Sequence, residues 1–265
     1  MNLLLYSVHM EPNPDSKILS TPELEHGAEF ENLIRNYKPS GAAQEILANV
    51  PLVLLTGPTS SGRNTLIERL VSTGGFYFIV SDTTRPPRVN NGVIEQNGRE
   101  YWFRTENEML EELRRGEFLE AEVIHGQQVS GMSVREFKKA GEQHKIGISD
   151  VDIGGIKNIM LAKPNTTTIV VLPPSFKEWQ RRLIGRGRMN REEHRRRMET
   201  AAKIFTAAIE GPEFTLVVND DLDEAVAHIN AIVRNQQSTT ASQTAARALA
   251  EQLRQETLNF IQTLK

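Results

Sequence analysis

The most chemically loaded stretch of the chain is Gly57-Pro58-Thr59-Ser60-Ser61-Gly62-Arg63-Asn64-Thr65, directly after the apolar run Leu52-Val53-Leu54-Leu55. Its spacing is that of a phosphate loop, G-x-x-x-x-G-K-[ST], in the strand–loop–helix setting such a loop requires. Glycines let successive backbone N–H groups converge on an anion, and the start of the next helix adds the positive end of its dipole. Two positions depart from the pattern. Arg63 stands where lysine is usual, and Asn64 stands where a hydroxyl would hold Mg2+. A guanidinium keeps the positive charge but is planar and bulkier than an ammonium. An amide oxygen can ligate Mg2+, though less compactly than a hydroxyl. Taken alone, such a loop also serves as a tight strand-to-helix turn, so its neighbours decide.

Those neighbours carry more phosphate chemistry. Ser81-Asp82-Thr83-Thr84-Arg85-Pro86-Pro87-Arg88 is followed by Gly98-Arg99-Glu100-Tyr101. Two guanidinia three residues apart on a proline-stiffened loop, with a phenol nearby, suit a phosphate monoester dianion. Further on come Phe118-Leu119-Glu120, Asp150-Val151-Asp152 and Val218-Asn219-Asp220-Asp221. Between 181 and 197 eight arginines face only Glu192 and Glu193. A charge run of this kind is by itself a solvated face or an RNA-binding patch. Phosphoryl transfer, however, needs positioned positive charge more than it needs a protein base.

The elements that must hold these groups alternate. Leu52–Leu55, Phe76–Val80, Thr168–Leu172 and Phe214–Val218 are continuous apolar runs, as strands buried on both faces require. Helical stretches near 64–72, 106–115, 155–162, 176–186, 190–209 and 221–234 intervene. This βαβ order predicts an α/β fold with a parallel sheet flanked by helices. The first fifty residues are acidic, with seven carboxylates against three cations. Thr21-Pro22-Glu23 reads as a helix start, predicting helices over 22–37 and 41–48. A polar linker, Asn235–Thr240, leads to an amphipathic helix over 241–264. Docking on its own domain and pairing with another chain fit that helix equally.

In order and spacing these motifs closely resemble guanylate kinase over about 51–234. The resemblance implies a P-loop NTPase-type fold with a small monophosphate-binding subdomain, about 81–135, and a lid, about 181–198. It leaves 1–50 as an N-terminal extension and 235–265 as linker and C-terminal helix. It implies ATP and GMP as substrates and Mg2+ as cofactor. Gly57 to Thr65 would hold ATP; Ser81, Arg85, Arg88 and Tyr101 would hold the GMP phosphate. Glu120 and Asp152 would face the guanine edge, whose N1–H and 2-amino group are donors that a carboxylate accepts. Arg182, Arg186 and Arg197 would close on the transferring phosphoryl group, and Arg63, in the place of the phosphate-loop lysine, would be catalytic with them. Asn64, and Asp150 through water, would serve the metal. Where the family reads G-N-Y-Y-G-[ST], this chain has Gly126-Gln127-Gln128-Val129-Ser130-Gly131-Met132-Ser133. Both tyrosines are gone, and Ser130 or Ser133 is left as the substitute for a guanine-contacting hydroxyl. The glutamine usual after D-I-D-x is Gly154.

Composition describes an ordinary soluble chain. In 265 residues, 31 Lys+Arg against 34 Asp+Glu leave −3, which excludes a wholesale electrostatic nucleic-acid binder. No apolar run approaches the ~20 residues of a membrane span. The opening Met1–Tyr6 is too short for a signal peptide, so the expected location is cytoplasmic. The absence of cysteine excludes disulfides, thiolate zinc sites and a cysteine nucleophile. Two other readings remain open on the sequence. One is a catalytically silent guanylate-kinase-like scaffold, which the altered phosphate loop suits. The other is a phosphotransferase with a different acceptor.

Overall fold

A computed structural model describes residues 23–90, 92–185, 187, 189–234 and 240–264. Helices α1 (Gly27–Arg35) and α2 (Gly41–Asn49) precede β1 (Leu52–Thr56), which leads through the glycine loop into α3 (Arg63–Ser72) and then β2 (Phe76–Phe78). The chain then makes an excursion through β3 (Asp82–Thr83), a small hairpin of β4 (Val89–Asn90) and β5 (Val93–Ile94), β6 (Trp102–Phe103), α4 (Glu106–Arg114), β7 (Phe118–Ile124) and β8 (Gln128–Ser133). It returns with α5 (Val134–Glu142), β9 (Ile146–Asp150), α6 (Ile153–Ala162), β10 (Thr167–Leu172) and α7 (Phe176–Gly185). Helix α8 (Arg191–Glu210), β11 (Phe214–Val218), α9 (Leu222–Val233) and α10 (Thr240–Thr263) complete it.

The main sheet is parallel throughout, in the order β11-β10-β1-β9-β2. Alternate residues of each strand feed separate cores. Leu52, Leu54, Val170 and Leu172 join the core on one face, and Val53, Leu55, Ile169 and Val171 join the core on the other. Burial on both faces is why these strands read as continuous apolar runs. Strand β1 leads to β2 on one side of the sheet while its neighbour β10 leads to β11 on the other, so the loop at the C-terminal end of β1 opens into the crevice where open α/β sheets bind ligands. The excursion builds its own sheet, β6-β3-β8-β7, with β8 antiparallel to both neighbours.

Outside the excursion, whose short strands the sequence does not single out, two elements escape the sequence reading. Strand β9 contains Gly147 and Ser149, which dilute its apolar character, yet it lies between β1 and β2. A Cβ at Gly147 would come within 3.1 Å of Ile79. Helix α5 hides Val134, Phe137 and Ala140, all buried, among charged residues. Helix α1 starts at Gly27 rather than near 22, because the preceding N–H groups are spent on tertiary acceptors. Leu24 N–H donates to the Gly126 carbonyl at 3.1 Å. Glu25 and His26 N–H donate to the Glu106 carboxylate at 3.1 and 2.8 Å. Thr21-Pro22 lies outside the described residues. Among the described residues, no helix is long and apolar enough to cross a membrane.

Candidate functional site

The loop 57–62 is shaped by contacts that tolerate no side chain at two positions. A Cβ on Gly57 would sit 2.5 Å from the Val171 carbonyl oxygen, and one on Gly62 would sit 2.1 Å from Asn219 Nδ2. Gly62 has φ +96° and caps α3, so glycine is also favoured there by its backbone. Ser60 adopts φ +69°. The hydroxyls of Thr56, Ser60 and Ser61 are buried with no hydrogen-bond partner among the described residues. An unmet buried polar group costs about 1–3 kcal/mol. Three such hydroxyls around one loop mark a cradle suited to an anion that accepts hydrogen bonds.

Arg63 begins α3 and brings its Nη1 within 3.5 Å of Asp150 Oδ2 at the end of β9. Asn64, Glu68, Tyr101 and Asp150 line one cleft of about 430 Å3. The amide oxygen of Asn64 and the carboxylate of Asp150 are hard oxygen donors, the chemistry Mg2+ prefers. Among the described residues no three acidic or histidine side chains cluster as a metal cage. A cation here would therefore take most of its ligands from nucleotide phosphates and water, which is how Mg2+ is commonly held.

Glu95 also lines that cleft and meets Arg85, which is only 5% exposed, in two contacts of 2.5 and 3.1 Å. The Arg85 guanidinium lies 4.6 Å from the centre of the Tyr101 ring. Burial opposes the Arg85 charge, but Glu95 and Tyr101 outweigh it and raise its pKa. The same Arg85 contact holds the Glu95 carboxyl below its ordinary value. Glu95 also accepts from Arg88 N–H at 2.9 Å, leaving the Arg88 side chain exposed. Sequence reasoning missed Glu95. Ser81 lies half-buried just before β3.

Glu120 sits half-buried on β7. Burial pushes its carboxyl up to about 8, and the charges of Glu122 and Asp152 add to the rise against a hydrogen bond from the Met132 backbone. Asp152 caps α6, with Oδ1 accepting from Gly154 N–H at 2.8 Å and Gly155 N–H at 2.9 Å. That cap uses one of its two oxygens. Of the two candidate replacement hydroxyls, Ser130 donates to the Asp82 carbonyl at 2.9 Å, and Ser133 is buried and caps α5. Both already carry structural contacts.

Helix α7 is moored to the phosphate loop. Trp179 Nε1 donates to the Thr59 carbonyl at 2.8 Å. Arg182 Nη1 donates to the Asn219 carbonyl at 2.9 Å, and its Nε donates to Glu178 at 2.8 Å. Asn219 in turn donates its amide to the Ser61 carbonyl at 2.8 Å, so one residue joins loop and helix. Arg197, on the second turn of α8, pairs with Glu193. Arg186 lies outside the described residues.

A family model described as guanylate kinase matches residues 49–236. The chain belongs to the guanylate kinase family. It is 38% identical to the guanylate kinase of Corynebacterium efficiens over 184 residues, spanning 69% of this chain and 94% of that protein. It is 35% identical to the guanylate kinase of Corynebacterium glutamicum over the same shares of each chain. Among solved structures, guanylate kinase from Anaplasma phagocytophilum superposes with a TM-score of 0.51 at 25% identity. That match covers 73% of this chain and 88% of the other.

Nearly all of α1 and α2, and the whole of α10, fall outside the stretch shared with guanylate kinases. Helix α10 lies on its own chain, burying Ala246, Ala250 and Leu253 in the core that α8 shares. Its Phe260 ring stands 5.7 Å from Phe176 at the start of α7 and 5.1 Å from His194 in the first turn of α8. Arg247 donates to the carbonyls of Ala208 and Ile209 at 2.6 and 3.0 Å. The C-terminal helix thus braces both helices that flank the arginine-rich connection of this guanylate kinase family member.

Proposed function

We propose that this protein transfers the γ-phosphoryl group of ATP to GMP, yielding ADP and GDP. A phosphate oxygen of GMP attacks the γ-phosphorus, and the bond to the β,γ-bridging oxygen breaks toward ADP. The relatives named guanylate kinase support the reaction. The observation that carries the choice of acceptor is Glu120, a half-buried carboxylate beside Asp152 whose charge finds its counterpart in the N1–H and 2-amino donors of guanine.

In this reading 51–234 is the catalytic unit, about 81–135 the monophosphate-binding part and about 181–198 the lid. Residues 57–65 take the ATP phosphates, and the hydroxyls of Ser60 and Ser61 gain the partners they lack. Ser81, Arg85, Arg88 and Tyr101 bind the GMP phosphate, whose dianion competes with Glu95 for Arg85. Arg63, Arg182, Arg186 and Arg197 supply positive charge to the phosphoryl group as it moves, lowering the barrier chiefly by positioning. Mg2+, held with ATP near Asn64 and Asp150, would supply charge neutralisation on the β- and γ-phosphate oxygens.

The Arg63 contact with Asp150 favours a second reading, in which the domain is a catalytically silent guanylate-kinase-like binding module. A coupled assay with ATP, Mg2+ and each nucleoside monophosphate in turn decides between them. Turnover with GMP above the other monophosphates supports the first reading. GMP binding by calorimetry with no turnover supports the second, and turnover with another acceptor alone overturns the assignment of guanine.

A further inference from the structure

Tyr37 lies outside the stretch shared with guanylate kinases, yet its hydroxyl acts on the strand that carries Glu120. It accepts a hydrogen bond from Phe118 N–H at 2.8 Å and donates one to the Phe118 carbonyl at 3.0 Å. Strand β7 is the edge of its sheet, so a single phenol satisfies two backbone groups that face no further strand. The register between β7 and β8 slips between Phe118 and Glu120. Tyr37 therefore holds the strand at its irregularity, two residues ahead of Glu120. Burial raises the Tyr37 pKa to about 12, with the charges of Glu117 and Glu120 adding to the rise against the Phe118 contact. The phenol keeps its proton at neutral pH, and both bonds persist there.

The segment around Tyr37 is anchored at both ends on different parts of the molecule. On one side Phe30 is fully buried in a cluster with Met109, Leu110 and Phe118 of the excursion. On the other side Ala43 and Leu47 belong to the core of the main sheet. Lys163 donates to the Leu47 carbonyl at 2.5 Å. Between the anchors, Ser40 N–H donates to the Gly116 carbonyl at 2.9 Å, just before β7 begins. Residues 30–47 form a strap from the small sheet to the large one. Beneath it lies a groove of about 800 Å3 that has Tyr37, Lys38, Glu120 and Leu161 in its walls.

We propose that Tyr37 is a positioning residue for guanine recognition: by pinning β7 at Phe118, the strap sets where the Glu120 carboxylate meets the purine edge. The inference rests on the reading of this protein as a GMP kinase. It gives the extension a role in a chain that lacks the family's tyrosine pair near 127–130, and in which Ser130 and Ser133 are already committed.

Tyr37→Phe removes only the hydroxyl and keeps the packed ring. In the nucleotide-free protein, amide exchange across 118–122 should accelerate about three- to tenfold, the cost of a hydrogen bond read as an opening constant, while β1 and α3 exchange as before. With ATP saturating, KM for GMP should rise by about the same factor, with kcat and the KM for ATP nearly unchanged. The preference for GMP over IMP, which lacks the 2-amino donor, should narrow. Unchanged exchange at 118–122 overturns the proposal. So does a loss of kcat with KM for GMP and the GMP-to-IMP preference intact, the pattern of general loosening. If the parent neither binds nor phosphorylates GMP, the kinase reading falls on that fact and takes the guanine clause with it. The exchange arm still decides whether Tyr37 holds the strand.

Discussion

Arg85 and Glu95 form a two-point ion pair with almost no solvent on either partner, and the Tyr101 ring closes over the guanidinium. Within the proposed acceptor site, a phosphate dianion would bind Arg85 by taking over contacts that Glu95 now makes. Glu95 keeps the guanidinium oriented and neutralised.

Glu95→Gln should therefore destabilise the protein, because it leaves a buried cation without its counter-charge, a loss of about 3–5 kcal/mol for pairs of this kind. Urea unfolding measures it. Saturating GMP should restore more stability to the variant than to the parent, since the phosphate supplies the missing charge. The native Glu95 carboxyl is held below its ordinary value, so its contribution is present above the unfolded pKa and is lost as pH falls through the folded one. The variant should lack that component of acid sensitivity.

The parts of this site legible in the sequence are those whose chemistry is compressed into short spacings. The glycines of 57–62, the Arg85/Arg88 pair and the arginine run after 181 announce anion binding without any fold. Glu95 sits in Val93-Ile94-Glu95-Gln96-Asn97 with no charge periodicity, and only the folded loop brings it back onto Arg85. One available signal is physical: an arginine pair stiffened by prolines needs a nearby acid to be stable when empty. Asn219 belongs to a motif visible in the sequence, but its bridging role depends on β11 ending beside the phosphate loop. The strap and the C-terminal brace are illegible for a different reason. Amphipathic helices announce that one face is buried without saying against what.

Glu120 predicts a pH dependence. The free carboxyl titrates at about 8, whereas guanine donors bind the ionised form. GMP affinity should therefore increase with pH from 6.5 toward about 8 and level off above it, which calorimetry at several pH values reads. Glu120→Gln should weaken binding and flatten the slope. Stability moves the other way: the native state holds this proton more tightly than the unfolded chain, so the group costs stability as pH rises from the ordinary glutamate value of about 4.5 toward about 8. A GMP affinity flat across this range would remove Glu120 from the guanine edge.

Asn219→Ala should loosen the tie between the phosphate loop and α7, leaving the Trp179 contact with Thr59 as the remaining mooring. The buried amide donates to the Ser61 carbonyl, and removing it strands an acceptor at a cost of about 1–3 kcal/mol. The variant also loses a side chain that blocks any Cβ at position 62. KM for ATP should rise while the Kd for GMP, measured alone, stays put. A GMP Kd that shifts as much as the ATP term would show that the loss had spread beyond the loop.

The last prediction concerns Arg63, whose side chain reaches toward Asp150 rather than standing free over the loop. A guanidinium at this position retains the charge that attracts ATP, so binding should survive. Its planar fork and its bulk place that charge less well on the γ-phosphoryl group as the transition state develops, which lowers rate more than affinity. Asn64 adds to this by offering a metal a less compact ligand than a hydroxyl. The double variant Arg63→Lys with Asn64→Ser should therefore raise kcat for GMP phosphorylation while leaving the Kd for ATP nearly unchanged. Steady-state kinetics alongside equilibrium nucleotide binding separate the two. A parallel change in kcat/KM and Kd would mean that ground-state binding was altered instead. If neither parent nor double variant binds ATP, the loop is no nucleotide site, and the catalytically silent reading takes its place.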